Sequence, residues 1–339
     1  MPRVVHVIAT SNFAGAERYV CDVANETAAR GWATTVVGGN SERMRSELDA
    51  RTRWLRGGTL LQALRSVARI GPQDVCHVHM TTAEIVAALS RPLHRAPIVS
   101  TRHFAARRGK SRAGGFVAPW IAKTLTREIA ISEFVARNLE RPPDAVVQNG
   151  VSHWDCLWKP TNRTVLVLQR LEREKDTITA LRAWQASRLD EEGWSLRVVG
   201  EGSERRSLEE WTASNGLHGV NFAGWAPAVA EEFAAAGVLL APAPREPFGL
   251  SVVEAMAAGV PVVAAAAGGH LETVGRLADA RMFPPGDAEA AAAALRSLLP
   301  DAVRGRLSER GRSLVAAEFT VERHVEALLV QYSAARDAG

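Results

Sequence analysis

Short apolar runs alternate with longer stretches of helical spacing along the whole chain. The first run, residues 4–9, leads through a loop that contains Gly15 into a helical pattern over residues 18–30. Further strands are predicted in this half of the chain at residues 33–37, 74–79, 97–101, 128–131 and 145–148. Strands that alternate with helices are typical of α/β domains with a mostly parallel sheet, so we predict a Rossmann-like first half.

A second series of the same kind begins after a turn signal at residues 148–151. Its strands are predicted at residues 164–169, 196–199, 220–225, 237–241 and 260–263. A chain of 339 residues also exceeds the usual size of a single hydrophobic core. We therefore predict two domains, residues 1–150 and 151–318, followed by a final helix within residues 319–339.

The stretch from Glu246 to Gly259 combines a loop, a helix and a helix stop. Pro247 favours an extended conformation at Glu246, and Gly249 allows a close approach of the backbone to a ligand. Ser251 is a plausible N-cap for a short helix that Gly259 ends. The pattern predicts a strand, a loop, a helix and a strand in this order.

Glu246 and Glu254 lie on either side of the predicted helix start and can face one crevice. A helix N-terminus favours a phosphate, and carboxylates bind pairs of sugar hydroxyls, so this arrangement suits a sugar nucleotide. In the alternative interpretation Glu246 is a solvated loop residue and Glu254 only interacts with the helix dipole. The spacing by itself favours that alternative.

The segment 246–262 resembles the signature of retaining GT-B glycosyltransferases, in particular family GT4, the glycosyl transferases of group 1. The match includes both glutamates, the glycines and the following strand. The resemblance implies an α/β fold of the GT-B type, in which two Rossmann-like domains face each other across a cleft. It assigns the acceptor side to residues 1–150 and the nucleotide sugar to 151–318, and it implies that the final helix returns to the first domain.

The resemblance extends to a loop that would bind the donor diphosphate. Arg170 and Lys175 match the Arg-Leu-x-x-x-Lys pattern of the family, with Gln169 in the place of the usual glycine. A guanidinium binds phosphate by paired hydrogen bonds and an ammonium group acts as a point charge. The backbone N–H groups of Phe248, Gly249 and Leu250 would stabilise the same leaving group.

The remaining donor contacts follow from the same resemblance. Glu254 would bind the ribose hydroxyls and Glu246 the hydroxyls of the donor sugar. Gly202, in a glycine turn after a strand, is a further candidate for substrate contact. Trp225 or its backbone would flank the nucleotide base, although this tryptophan is equally well interpreted as part of the core.

Two candidates lie in the first half of the chain. His103 ends a predicted strand, where the family places a histidine that orients the donor sugar, and His79 at the end of the neighbouring strand is the weaker candidate. Gly15 would lie against the diphosphate and the acceptor. Ala14 replaces the first glycine that the family carries in this loop.

Charge and apolar runs indicate which partners and which location the chain has. The net charge of +4 does not indicate a nucleic-acid partner, but residues 102–127 are strongly basic and contain aromatic residues. They are interpreted as a solvated loop and helix face, or as an electrostatic surface for a phosphorylated acceptor or for peripheral contact with anionic membrane. The chain shows no secretory signal and no apolar run of about 20 residues, so we expect a cytoplasmic location, with peripheral attachment to the inner face of the membrane left open.

The three cysteines are expected to be reduced and buried. A zinc site at Cys76, His77 and His79 is unfavourable, because adjacent residues of a strand point to opposite faces. Many nucleotide-sugar enzymes hold a divalent ion with an Asp-x-Asp pair, and no such pair occurs in this sequence. We therefore expect no metal and no cofactor, and the single Gly15 in the first loop argues against an NAD-binding fingerprint.

The predicted reaction is the transfer of a glycosyl group from a nucleoside diphosphate to a hydroxyl acceptor, with retention at the anomeric carbon. A non-catalytic scaffold that binds nucleotide sugar or a membrane surface is the alternative. Glycoside hydrolysis by Glu246 and Glu254, about 5 Å apart, is a weaker one because it gives Arg170 and Lys175 no role. The sequence leaves the acceptor and the nucleotide base open.

Overall fold

The computed structural model describes residues 1–108, 112–226 and 228–338, with the backbone only for residues 112–117. The described chain divides into two compact units. Unit 1 consists of Met1–Ser152 together with Thr320–Gly339, and unit 2 of His153–Phe319. Each unit is built around its own parallel β-sheet with helices packed on it.

Unit 1 contains a seven-stranded sheet in the order β3-β2-β1-β4-β5-β6-β7, in which every described pair of strands is parallel. The strands are β1 (Arg3–Ile8), β2 (Ala33–Gly38), β3 (Thr52–Leu55), β4 (Val75–His79), β5 (Ile98–Arg102), β6 (Arg127–Ala130) and β7 (Ala145–Val146). The helices are α1 (Gly15–Ala29), α2 (Ser41–Glu47), α3 (Leu60–Ile70), α4 (Thr81–His94), α5 (Arg112–Thr124), α6 (Glu133–Arg137) and, at the end of the chain, α13 (Val321–Asp337). Apolar residues of α1 and α13 share one buried core with β1, β4 and β5.

Unit 2 contains a six-stranded sheet in the order β10-β9-β8-β11-β12-β13, again parallel in each described pair. The strands are β8 (Thr164–Leu168), β9 (Ser195–Val199), β10 (Val220–Gly224), β11 (Val238–Ala241), β12 (Val262–Ala265) and β13 (Arg281–Phe283). The helices are α7 (Thr177–Ser187), α8 (Arg205–Ser214), α9 (Val229–Ala235), α10 (Leu250–Ala257), α11 (Ala288–Arg296) and α12 (Asp301–Glu318). Because all strands run the same way, the loops after β8, β9 and β11 leave the sheet at one edge.

Two local predictions were wrong. Ser251 does not cap its helix, because Gly249 adopts a φ of 93° and the helix begins at Leu250. Cys156 is exposed, whereas Cys21 and Cys76 are buried as predicted. Cys156 precedes the second sheet in an irregular segment that contributes no strand or helix.

The structure also contains β3 and α12, which the sequence did not predict. In β3 the exposed Arg53 follows the buried Thr52, so the strand lacks a strong apolar run. Helix α12 has low overall hydrophobicity, and only a few of its residues, among them Leu307 and Val315, are buried. Among the described residues, no helix combines the length and the apolar character that a membrane span requires.

Candidate active site

The loop after β11 reverses direction at Gly249 and leads directly into α10. Gly249 has a φ of 93°, which favours glycine, and its carbonyl accepts hydrogen bonds from the N–H groups of Val252 and Val253, both at 3.0 Å. The N–H of Gly269 donates to the carbonyl of Glu246 at 2.7 Å and connects this loop to the segment after β12. The first N–H groups of a helix have no partner within the helix, so the start of α10 is suited to an anion.

His270 packs against this loop, and sequence reasoning did not identify it as a site residue. Its side chain is buried, and Nδ1–H donates to the carbonyl of Ala265 at 3.2 Å. A Cβ atom added to Gly249 would lie 3.2 Å from Cδ2 of His270, so the ring limits which residue can occupy the turn. Burial lowers the pKa of His270, while the nearby charge of Glu246 acts in the opposite direction. The only sequence signal was the pair of glycines immediately before this histidine.

Lys175 and Glu246 form an ion pair, although 71 positions separate them in the chain. Their Nζ and Oε2 atoms lie 2.6 Å apart, and the two side chains are 16% and 17% exposed. Lys175 ends a short 3₁₀ turn, Arg173–Lys175, after β8. The pair therefore holds a cation on the loop that leads into α10.

Gln169 fixes the shape of the loop that carries Lys175. Its side-chain amide donates to the carbonyl of Lys175 and to the hydroxyl of Thr177, both at 3.0 Å. The glycine that this residue replaces in the family pattern has no side chain with which to make these bonds. Gln169 is thus a second residue of the site that the sequence did not reveal.

Arg170 extends from the same loop and is more exposed than Lys175. Its guanidinium donates to Glu174 at 2.8 Å, and both side chains are 55% exposed. Gly202 lies directly against this loop, because a Cβ atom there would come within 2.2 Å of the carbonyl oxygen of Leu171. The loops after β8 and β9 therefore pack together only with glycine at this position.

The other predicted donor residues of unit 2 occupy different environments. Phe248 is buried and packs edge-on against Phe319, so only its backbone is placed for ligand contact. Leu250 and Glu254 are half-buried residues of α10. Trp225 is 57% exposed, which contradicts its interpretation as part of the core.

In unit 1, the loop before α1 is organised by a carboxylate. Glu17 is buried and accepts hydrogen bonds from the N–H of Ala14 at 2.9 Å and from the hydroxyl of Thr10 at 2.7 Å. Gly15 is the first residue of α1. The loop thus holds its shape with Ala14 in place of the family's glycine.

His103 lies at the end of β5, one end of a row of buried histidines. His79 is fully buried, and its Nδ1 lies 3.2 Å from Nε2 of His103. His79, the weaker of the two candidates for contact with the donor sugar, is thus enclosed by protein and contacts His103. Burial lowers the pKa of His103 to about 3, so its imidazole is neutral at physiological pH. Tyr19 of α1 packs edge-on against His103 and brings the start of α1 close to it.

His79 also belongs to a buried cluster with His6 and His77. Each of these three histidines places one ring nitrogen within 4.8 Å of the others. The sequence did not predict this cluster, because His6 lies on β1 and the register brings it opposite His77 on β4. His77 is already bonded through both nitrogens, to Tyr332 at 2.6 Å and to Thr101 at 2.7 Å. Hydrogen bonding accounts for its position without a metal ion.

The basic region, residues 102–127, is less exposed than expected. Arg102 and Arg108 are buried in ion pairs with Glu84, Glu128 and Glu140, including contacts of 2.7 Å to Glu128 and 2.6 Å to Glu84. Neither arginine is therefore available to a membrane or an anionic ligand, which corrects that part of the prediction. Lys110 lies outside the described residues, and only the backbone is described at Arg112 and Phe116.

Two family models match consecutive parts of the chain. The model described as Glycosyltransferase Family 4 matches residues 13–154, and the one described as Glycosyl transferases group 1 matches residues 151–314. Together they cover residues 13–314, which include every described strand except β1 and all the residues that the sequence predicts for the site.

Individual proteins of known sequence match only in part. An exopolysaccharide phosphotransferase of Streptomyces coelicolor is 31% identical over 173 residues, which is 49% of this chain and 18% of that protein. A 2-deoxystreptamine glucosyltransferase of Streptomyces kanamyceticus is 34% identical over 143 residues, 41% of this chain and 37% of that protein. The chain thus spans less than half the length of these relatives.

Solved structures resemble the whole chain. The Anabaena protein HepE, crystallised in complex with UDP-glucose, has a TM-score of 0.79 at 19% identity and covers 98% of this chain and 100% of its own. At this level of identity the likeness shows a shared fold.

Proposed function

This chain belongs to the glycosyltransferases that the two family models describe, and from that membership we propose that it moves a sugar from a nucleoside diphosphate sugar to a hydroxyl acceptor. The transfer retains the anomeric configuration and needs no metal ion. The observation that carries this proposal is the position of Lys175, whose contact with Glu246 sets an ammonium group beside the start of α10.

The positive groups of unit 2 supply the chemistry that departure of the diphosphate requires. Breaking the glycosidic bond leaves negative charge on a phosphate oxygen, and fixed donors stabilise such charge where water is excluded. Arg170, Lys175 and the N–H groups at Phe248, Gly249 and Leu250 take this role. Gln169 keeps the loop in shape for Lys175 through its two hydrogen bonds.

The remaining residues bind and orient the donor. Glu254 accepts hydrogen bonds from the ribose hydroxyls, and Glu246 does so from hydroxyls of the sugar. Trp225 is exposed, as a residue that flanks a base must be. Gly202 allows the two loops to pack, and His103 and Gly15 are the corresponding candidates in unit 1.

Arg170 must exchange one partner for another during this cycle. Its guanidinium is bound to Glu174 in an exposed pair, and such pairs contribute little to stability, about 0–1 kcal/mol. A diphosphate carries more negative charge than a single carboxylate and accepts paired hydrogen bonds from Arg. We therefore place Glu174 as the residue that holds Arg170 before the donor binds.

Chelation of divalent ions separates this proposal from metal-dependent transfer. We expect donor consumption, measured as release of the nucleoside diphosphate, to proceed at an undiminished rate in EDTA, because cationic side chains occupy the place of the ion. The anomeric configuration of the product, determined by NMR, is expected to equal that of the donor. Complete loss of activity in EDTA that magnesium or manganese restores would contradict the proposal, as would an inverted product.

We also propose that unit 1 contacts anionic membrane through a surface formed by α4 and α5. Leu89 and Leu93 on α4 and Trp120 on α5 are 53%, 50% and 45% exposed. Arg91 donates to the carbonyl of Thr124 at 3.5 Å, which connects the ends of the two helices. Exposed apolar residues with basic neighbours are typical of membrane-surface sites.

Sedimentation with vesicles tests this surface. The chain is expected to bind vesicles that contain phosphatidylglycerol and not vesicles of phosphatidylcholine alone, and binding should fall as salt increases. The triple variant Leu89→Ser, Leu93→Ser and Trp120→Ser should lose most of the binding. Val330→Ser is the control, because Val330 is 64% exposed on α13 of the same unit. Equal binding of the triple variant and the control would exclude the α4–α5 surface.

A further inference from the structure

Three histidines of unit 1 form a continuous series of hydrogen bonds that ends at His103, the residue proposed to bind the donor sugar. His6 on β1 and His79 on β4 approach each other with Nδ1 and Nε2 3.4 Å apart. The other nitrogen of His79, Nδ1, lies 3.2 Å from Nε2 of His103. His6 and His79 are fully buried, and His103 is 8% exposed, so only the last ring reaches the surface of the unit.

The far end of this series has no hydrogen-bond partner. Nε2 of His6 is buried, and no described atom accepts from it or donates to it. A neutral imidazole carries its proton on one nitrogen and an acceptor lone pair on the other. His6 therefore buries either an unpaired N–H group or an unpaired lone pair at Nε2.

The two alternatives differ in cost. Among backbone groups, orphaned N–H donors are rarer in protein interiors than under-satisfied acceptors, and we apply the same order to the imidazole ring. A buried donor also loses its hydrogen bonds to water without compensation. The favoured state of His6 is thus the one with its proton on Nδ1 and the lone pair on Nε2.

This choice propagates along the series, because each bond needs one donor and one acceptor. Nδ1–H of His6 donates to Nε2 of His79, which leaves the proton of His79 on Nδ1. Nδ1–H of His79 then donates to Nε2 of His103. The proton of His103 must consequently be on Nδ1.

We infer that His6 and His79 are positioning residues that fix the proton of His103 on Nδ1. The Nδ1–H group of His103 then donates a hydrogen bond to an oxygen of the donor sugar. The inference rests on the proposed function, which supplies the sugar. Neither His6 nor His79 touches substrate. They act through the proton on His103, which decides whether the ring donates to a hydroxyl oxygen or accepts from it.

A second series in the same unit supplies a matched control. It runs from Tyr332 through His77, Thr101, Tyr19 and His324 to the carbonyl of Gln148. This carbonyl can only accept, so the direction of the second series is set independently of His6. His77 lies on the same strand as His79 and is equally buried, but its two hydrogen bonds belong to the second series.

A metal ion held by His6, His77 and His79 is the competing explanation of the cluster. Nitrogens that share a zinc ion at about 2.0–2.1 Å each must all turn their lone pairs towards it. Both nitrogens of His77 and both of His79 already have hydrogen-bond partners within the protein. Binding an ion would break bonds that these buried rings need, so the hydrogen-bonded series is favoured.

Long-range ¹H–¹⁵N correlation spectra of the full chain, labelled at histidine, measure the tautomers directly. At pH 7.5, without ligand, we expect His6, His79 and His103 each to show a protonated Nδ1 and an unprotonated Nε2. A protonated Nε2 on His103, or an average of the two forms, would overturn the inference. One equivalent of bound zinc in the purified protein that is lost in His79→Phe would do so as well.

His79→Phe removes both hydrogen bonds and keeps an aromatic ring in the strand. We expect His103 to become a mixture of tautomers and kcat/KM for the nucleotide sugar to fall about tenfold, the effect of one hydrogen bond. The affinity for the nucleoside diphosphate alone should not change, because that ligand lacks the transferred sugar that His103 contacts. His77→Phe should leave the tautomer of His103 as it is in the unchanged protein.

The outcomes distinguish this inference from the proposed function. If the unchanged protein binds no nucleoside diphosphate, the proposed function fails, whatever the spectra show. If it binds the diphosphate but His103 carries its proton on Nε2, only the inference fails. If His79→Phe leaves the tautomer of His103 unchanged, the inference also fails and the proposed function stands.

Discussion

Replacing Arg170 by alanine will reduce kcat/KM for the nucleotide sugar by about 10²–10³-fold, the cost of removing one fixed donor from a developing anion. The same change should alter the free energy of unfolding by less than about 1 kcal/mol, because its partner Glu174 forms only an exposed pair with it. A large loss of activity with unchanged stability is the mark of a residue that acts on the substrate.

Lys175→Ala will add to this effect and also cost stability. Lys175 and Glu246 are largely shielded from solvent, so loss of the ammonium group leaves a carboxylate without its partner, at about 1–3 kcal/mol. The double variant, Arg170→Ala with Lys175→Ala, is expected to have no detectable activity while remaining folded at 25 °C. Activity follows from release of the nucleoside diphosphate, and stability from urea unfolding.

Arg206→Ala is the matched control for Arg170→Ala. Arg206 belongs to the same unit and forms an exposed pair with Glu210 at the same spacing and distance, 2.8 Å. It should leave both activity and stability unchanged. If Arg170→Ala behaves like Arg206→Ala, the chain is a scaffold. Release of sugar from nucleotide-free glycosides that survives the double variant would instead support a hydrolase.

Unit 1 will unfold in mild acid while unit 2 remains folded. Burial lowers the pKa of His6 and His103 to about 3 and that of His324 to about 4, and it places those of His77 and His79 well below their ordinary value. In unit 2, His270 is the one described histidine whose pKa burial lowers. The two units therefore differ in the number of protons that unfolding takes up.

The direction follows from proton linkage. The unfolded rings bind protons as the pH falls through about 6.5, and the folded rings do not, so the free energy of unfolding decreases with decreasing pH in this window. At pH 5 the rings of His6, His103 and His324 cost about 2 kcal/mol each, about 6 kcal/mol in all, and His77 and His79 act in the same direction. Asp22, whose pKa burial raises to about 6, offsets about 1 kcal/mol of this loss. Domains are typically stable by about 5–15 kcal/mol, so this loss is large enough to unfold unit 1.

Hydrogen exchange measured by mass spectrometry resolves the two units. After incubation between pH 7.5 and 4.5, a labelling pulse at fixed pH should find peptides from β1 and β4 exchanged and peptides from β8 and β11 protected. His6→Phe removes one titrating ring and should move the acid midpoint to lower pH. His218→Gln changes an exposed histidine of unit 2 and should not. Equal protection of both units at pH 5 would refute the linkage.

The sequence predicted most of the strands because parallel strands are nearly continuous apolar runs. It predicted β1 at residues 4–9, where the structure has Arg3–Ile8, and β11 at residues 237–241, where the structure has Val238–Ala241. It missed β3, in which a charged residue interrupts the pattern. Local pattern therefore identifies a strand where burial on both faces demands it, and fails at a half-exposed position.

Contacts between distant segments were beyond local pattern. Lys175 and Glu246 were each predicted as site residues, but their direct pairing depends on the adjacency of β8 and β11 in the sheet. The partnership of His6 with His79 depends in the same way on the adjacency of β1 and β4. Gln169 was noted only as a departure from the family pattern, because its hydrogen bonds require the folded loop.

The most direct test of the central claim is calorimetric titration of the chain, in EDTA, with UDP, GDP and ADP and with the corresponding nucleosides. The account predicts that one diphosphate binds, that its nucleoside binds far more weakly, and that the Arg170→Ala and Lys175→Ala double variant loses the difference. Absence of binding by all three diphosphates, or equal binding of nucleoside and diphosphate, would contradict it.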